Sequence, residues 1–335
     1  MRDRPLIGRS RELAELGRML AAARNGTGTV VLLAGEAGVG KTRLAEEALV
    51  QSNLLVLPGG ASEDATPPYG PVVAALRSYL RAAPGGLADC GPLVSHLALL
   101  LPELGPPPDR SDRPTLFEAI RDALVVIARR RPAALFLDDL QWADATTLEL
   151  LPALAGWIEH EPLLLVGAYR SDEIPRGHPL RRMRAELRRA GRFHELTVEP
   201  LTREETTALV TQTLGQPPHP ALAAALYDRT QGVPFFVEEL AAALAGSGRL
   251  RPGSAGLELT AGVELPLPET VRDAVLLRAA RLPDPARQAL EIAAVAGLRF
   301  DLDLVAELAG GETGLDVPIE RGLIVEVAPG QAAFR

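Results

Sequence analysis

The 335-residue chain predicts an α/β protein: a parallel sheet in its first two-thirds and a helical remainder. Three observations carry this reading. Short apolar, β-branched runs alternate with helical patterns as far as about Leu201, and after Thr202 the strand pattern stops. A glycine-rich stretch, "GEAGVGKT" (35–42), joins the first apolar run to a helix. Runs that are apolar throughout suit strands covered on both faces, and parallel strands need crossover helices to do the covering.

In chain order, Leu13, Leu16 and Leu20 share one face of a predicted helix from Ser10, its N-cap, to Arg24, and "NGTG" ends it. "TVVLLAG" (29–35) is the first strand, Thr42 to Gln51 a helix, and "LLVLPGG" (54–60) the second strand, followed by a loop over 59–70. Helices between Pro71 and Arg131 are interrupted by an exposed Pro- and Gly-rich connection at 102–114. "AALFLDD" (133–139) and "PLLLVGAYR" (162–170) are buried strands with a helix from about Ala145 to His160 between them, and a last strand lies near 193–201.

Beyond it, Thr202 and Glu205 form a capping-box pattern, and helices near 218–230 and 234–246 complete a small bundle. Residues 246–268 read as a Gly- and Pro-rich linker. Helices near 269–281, 284–296 and 301–309, then apolar stretches at 322–327 and 331–335, suggest a winged helix cut off in its second wing strand. The predicted domains are therefore 1–200, 201–246, a linker over 247–267, and 268–335.

Composition removes several function classes. A net charge of −8 offers no general basic surface to nucleic acid or to an anionic membrane. Cys90 is the single cysteine, so there is no disulfide framework, and the five histidines show no metal-ligand spacing. The amino terminus lacks the apolar core of a signal peptide and no run approaches the roughly 20 residues of a membrane span, so a cytoplasmic location is expected. The Arg-rich stretch 176–192 reads as a solvated helix face, with docking of an acidic partner or DNA as the sharper alternative.

Lys41 is the one lysine among 35 Lys and Arg residues. Gly35-x4-Gly40-Lys41-Thr42 matches the phosphate-binding loop and lies where that loop must, between a buried strand and a helix. Gly35, Glu36, Ala37, Gly38, Val39 and Gly40, with Lys41, Thr42 and Arg43, would cradle phosphates through backbone N–H groups and the helix N-terminus. A compact ammonium reaches β and γ phosphates where a planar guanidinium fits poorly, and Thr42 offers a hydroxyl to Mg2+.

Asp138 and Asp139 end the run "LFLDD", at the strand edge where open α/β sheets bind ligands. Asp138 is expected to hold Mg2+ through water, and Asp139 is either the base that orients an attacking water or a strand-end residue without that role. Arg170 ends the next strand; it either touches the γ phosphate or forms a salt bridge to Asp172 or Glu173. Trp142 follows closely and would position the acidic loop, or serve as a core anchor; Glu63 sits in a loop on which a surface role is the default.

Taken together, "LIGRSREL" (6–13), "GEAGVGKT", "LFLDDLQWAD", "GAYR" and "GVPFFVEEL" (232–240) resemble the nucleotide-binding part of STAND-class P-loop ATPases. More closely, they resemble the N-terminal part of the large ATP-binding LuxR-type regulators of bacteria. The resemblance implies a five-stranded sheet in the order 5-1-4-3-2, a helical bundle and a partial winged helix. It implies that Ile7, Gly8 and Arg9 lie near the adenine and that Gly232 and Pro234 close the nucleotide site. It also implies ATP and ADP with Mg2+ as ligands, a switch that self-associates in its ATP state, an unknown inducer, and no membrane. Contact with DNA is implied only through a C-terminal domain absent from these residues. A constitutive ATPase and a non-hydrolysing nucleotide-binding scaffold remain as alternatives.

Overall fold

The computed structural model describes residues 5–63, 67–191, 193–246, 248–260, 279, 282–297, 299–309, 313–320, 323–328 and 330–334. The chain divides into two compact units, Met1–Thr202 and Arg203–Arg335.

The first unit follows the predicted alternation. Helix α1 (Ser10–Arg24) leads to β1 (Thr29–Gly35), α2 (Lys41–Gln51), β2 (Leu55–Gly60), α3 (Gly70–Ala82), α4 (Val94–Leu97) and α5 (Arg113–Arg130). Then come β3 (Ala133–Asp138), α6 (Ala145–Trp157), β4 (Leu163–Arg170), α7 (Pro179–Ala190) and β5 (Phe193–Thr197). The strands form a five-stranded parallel sheet in the order β2-β3-β4-β1-β5, which is the expected order.

Strand periodicity explains the two layers of core. Alternate residues of β1 face opposite sides, so Val30 and Leu32 pack with α3, α5, α6 and α7 through residues such as Leu76, Leu124, Leu151 and Met183. Val31 and Leu33 face the other way and pack with Leu16 and Leu20 of α1 and Leu44 and Leu49 of α2. A strand buried on both faces has no room for alternating polar residues, which is why these runs read as continuously apolar.

Arg9, not Ser10, takes the N-cap position of α1, and it makes no side-chain cap bond. Helix α6 ends at Trp157, short of the expected His160. The arginines of α7 are largely spoken for: Arg184 and Arg188 bond Glu195 at 2.6 and 2.5 Å, and Arg182 bonds Glu186 at 2.8 Å. No helix among the described residues is long and apolar enough to cross a membrane.

The second unit begins with a bundle of α8 (Arg203–Leu214), α9 (Pro220–Thr230) and α10 (Pro234–Ala245). The expected linker is corrected in part: it contains an antiparallel hairpin, β6 (Leu250–Gly253) and β7 (Gly256–Leu259). Leu257 N–H donates to Pro217 O at 2.9 Å and His219 N–H to Leu257 O at 2.8 Å, so backbone groups that a free linker would leave to water are paired beside α9. The expected helix near 269–281 lies outside the described residues apart from Ala279.

Farther on are α11 (Asp284–Ala296), β8 (Arg299–Asp301), α12 (Leu302–Leu308), α13 (Thr313–Glu320), β9 (Ile324–Ala328) and β10 (Gln331–Phe334). Strand β8 and helix α13 were not anticipated: β8 is three residues long and α13 carries Pro318, so neither has a clear period. Strand β10 pairs on both sides, with β9 and with β8, and its Phe334 ring lies 5.5 Å from Phe300.

Glu195 of β5 ties α7 to the sheet. Tyr169 Oη donates to it at 2.6 Å from β4, alongside the two arginines of α7. Burial alone would push its carboxyl pKa up; the bonds from Arg184, Tyr169 and Arg188 outweigh that and hold it below the ordinary 4.5. A depressed folded pKa stabilises the fold above pH 4.5, and that contribution is lost as pH falls through the lower folded value. Glu195→Gln should therefore cost about 1–3 kcal/mol at pH 7 in urea unfolding, and the gap from wild type should narrow on acidification below that range.

Candidate functional site

Because the strands are parallel, their carboxyl ends meet at one edge. Gly35 of β1 lies opposite Arg170 of β4, and Asp138 ends the neighbouring β3. This is where the sequence placed the chemistry, and the side chains converge there.

The phosphate loop turns from β1 into α2. Gly40 occupies the N-cap of α2 with φ 97°, a left-handed conformation that glycine adopts without strain and that presents the first N–H groups of the helix outward. Gly35 has another reason to be glycine: a β-carbon there would lie 2.5 Å from Val198 O and 2.9 Å from the Val39 side chain.

Lys41 is buried, and its Nζ donates to Gly35 O at 3.0 Å and Glu36 O at 2.8 Å. Its pKa is pushed down, first by burial and then by the Arg170 charge, against opposition from Asp139, Asp138 and Asp172. The ammonium is thus held by the carbonyls of its own loop in surroundings that disfavour its charge. Arg9 is buried too, and its Nη2 donates to Val39 O at 3.1 Å while Nη1 reaches Gly8 O at 3.4 Å. Arg9 thus ties the segment Ile7–Gly8–Arg9 to the loop at Val39.

Thr42 and Asp138 supply the candidate metal ligands. Thr42 Oγ1 donates to Asp138 Oδ2 at 2.7 Å. These two oxygens are neighbours, so both could help to hold one hard cation, directly or through water. Burial pushes the Asp138 carboxyl pKa up, with Thr42 and Asp139 N–H working the other way; a cation beside it would relieve that cost. The residues present fit both a phosphate chain and a hard divalent cation.

Asp139 follows with φ 52°, a left-handed conformation uncommon outside glycine, which starts a short 3-10 turn over Leu140–Trp142. Its Oδ1 accepts from Gln141 Nε2 at 2.8 Å and lies 3.5 Å from Arg170 Nε. Arg170 realises the salt-bridge alternative: Nη1 donates to Glu173 at 2.6 Å, and the guanidinium stacks 4.5 Å from the centre of the Trp142 ring. Trp142 accordingly braces Arg170 as well as the acidic turn.

Gln141 and His178 are functional candidates that the sequence reading missed. Gln141 is a polar residue inside an otherwise apolar turn, which is a signal, but its partner on β4 becomes visible only once the strands are ordered. Gly232 and Pro234 belong to the second unit, where Gln231 ends α9 in a left-handed conformation and Pro234 opens α10. Glu63 is exposed after β2. A cavity of about 840 Å3 beside α1 and β5, lined by Arg11, Glu12, Arg18, His194 and Glu199 among others, includes none of the residues of this edge.

Gly35→Ala should lower the stability of the nucleotide-free protein by about 1–3 kcal/mol in urea unfolding, because the clash is with backbone as well as side chain. A variant of unchanged stability that only binds phosphate less well would show that the Val198 contact does not constrain this position.

Residues 5–166 match the AAA ATPase domain family. An uncharacterized protein of Rhizobium meliloti (strain 1021) is 28% identical over 377 residues, covering 98% of this chain and 34% of its own length. The chain thus spans about a third of that relative. A Signal Transduction ATPase with Numerous Domains (STAND) protein with a tetratricopeptide repeat sensor, from Pyrococcus horikoshii, superposes with a TM-score of 0.56 at 16% identity, over 99% of this chain and 42% of that one. Sequence match and geometry meet at the same edge: residues 5–166 carry the signature of an AAA ATPase domain, built on a P-loop NTPase fold.

Proposed function

We propose that the chain is the nucleotide-dependent switch of a STAND-class signalling ATPase, binding ATP and ADP with Mg2+ and hydrolysing ATP slowly. The observation that carries this reading is the convergence at one sheet edge of Lys41, held by the loop carbonyls, with the bonded pair Thr42–Asp138 and the ion pair Asp139–Arg170, whose charges Lys41 feels.

Each residue has a part. Lys41 and the α2 N-terminus hold the β and γ phosphates, and the loop carbonyls of Gly35 and Glu36 keep the ammonium in place between turnovers. Thr42 and Asp138 hold the Mg2+, which when bound neutralises charge on the phosphate oxygens. Asp139 orients the attacking water from a carboxylate held by Gln141. Arg170 can report the γ phosphate by exchanging its bond to Glu173 for one to phosphate, a differential contact of the kind a two-state switch requires.

The finer reading extends this to the ATPase module of a LuxR-type transcriptional regulator. In that reading ADP marks the resting state, an inducer promotes exchange, the ATP state self-associates, and DNA is contacted only by a region outside this chain. The sequence motifs from Leu6 to Leu240 support it, and we propose with it a division into a nucleotide domain (1–200), a helical subdomain (201–246) that carries Gly232 and Pro234, a linker (247–267) and a winged-helix-like part (268–335).

The test is direct. Protein purified without added nucleotide, then denatured, should release near-stoichiometric ADP on chromatography; an empty site that turns over ATP freely would instead favour a constitutive ATPase. Asp139→Asn should keep ATP bound while turnover falls about 100-fold or more, and unchanged turnover would remove Asp139 from the mechanism.

A further inference from the structure

We propose that Gln141 is a positioning residue that sets the Asp139 carboxylate against the end of β4, using both ends of one carboxamide. The inference rests on the ATPase reading and adds a residue to it.

Gln141 is 5% exposed. Its Nε2 donates to Asp139 Oδ1 at 2.8 Å, and its Oε1 accepts from Arg170 N–H at 3.0 Å. Only one orientation of the amide satisfies both, since a carboxylate cannot donate and a backbone N–H cannot accept. The bridge therefore joins the turn after β3 to the last residue of β4, across the gap where Asp139 and the Arg170 guanidinium stand 3.5 Å apart.

A second anchor fixes the bridge itself. His178, the N-cap of α7, accepts the Leu180 N–H at Nδ1, so its Nε2 carries the proton and donates to Gln141 O at 3.0 Å. Trp142 N–H donates to Asp139 O at 2.9 Å, closing the turn. Asp139 is thus held in its left-handed backbone by a framework that reaches β4 and α7, its N–H donating to Asp138 Oδ1 at 2.9 Å and its carboxylate accepting from the buried Gln141.

The consequence is a division of labour. Arg170 carries a full charge and competes for Asp139 Oδ1, whereas Gln141 supplies a neutral donor at a better distance. Without that donor the carboxylate would turn toward the guanidinium and away from a substrate water. Misplacement of this size lowers the rate of the chemical step and leaves phosphate binding, which Lys41 and the α2 N-terminus provide, intact.

Gln141→Met keeps the length of the side chain and removes both the donor to Asp139 and the acceptor for Arg170 N–H, without setting a second carboxyl against Asp139 that could take up a proton and restore the donor. We expect kcat for ATP to fall about 10- to 100-fold while KM and ATP affinity stay within about twofold. Gln141→Asn keeps both amide groups but is one methylene too short to span, and should lose kcat in the same manner. In a Trp157→Phe background Trp142 is the only indole, and because Arg170 stacks on it, either variant should shift its emission. Wild-type kcat in Gln141→Met, or a loss of kcat matched by an equal loss of ATP affinity, would overturn the assignment. If the wild type binds ATP without hydrolysing it, the ATPase reading fails separately; the indole emission then decides, and emission unmoved in both variants refutes the bridge.

Discussion

One buried ammonium sets the conditions for the whole sheet edge. Lys41 is taken out of water at the point where a helix N-terminus and Arg170 already supply positive potential, and two loop carbonyls offset only part of the cost. An arrangement short of negative charge on one side and carrying Asp138 and Asp139 on the other is polarised. On the proposed reading, a nucleoside polyphosphate with Mg2+ would complement it, bringing an anion to the loop and a cation to the carboxylates.

The fold exists to hold these charges at fixed separation. Parallel strands deliver Gly35, Asp138 and Arg170 to the same edge, and the two apolar layers on either face remove the freedom that would let them drift. The edge is further stiffened by bonds between neighbouring elements, Arg9 to Val39 on one side and Gln141 to Arg170 on the other. Arg170 stands apart as a side chain with competing partners, Glu173, Asp139 and Trp142, which suits a residue that changes allegiance when a phosphate arrives.

Much of this was legible in the sequence because local pattern and tertiary position coincide there. "TVVLLAG" and "LLLVGAYR" can be little other than buried strands, and the spacing from Gly35 to Thr42 places a charge between strand and helix before any coordinates are known. The hairpin at Leu250–Leu259 was not legible, since its Gly and Pro content resembles a linker and its stability comes from pairing with Pro217 and His219. Gln141 was hidden for a related reason: its role depends on a strand that arrives 29 residues later. For Arg170 the sequence favours contact with the γ phosphate over a salt bridge, yet the side chain bonds Glu173, an acceptor three residues on and so always within reach.

The central claim is that Lys41 makes this edge a site for nucleotide phosphates. Isothermal titration of ATP and of ADP into the purified protein with Mg2+, in parallel with Lys41→Ala shown to be folded by circular dichroism, tests it most directly. The account predicts one nucleotide per chain and a loss of affinity of about 100-fold or more in the variant. Equal affinity in the two proteins, or no binding to either after removal of any retained nucleotide, would contradict it.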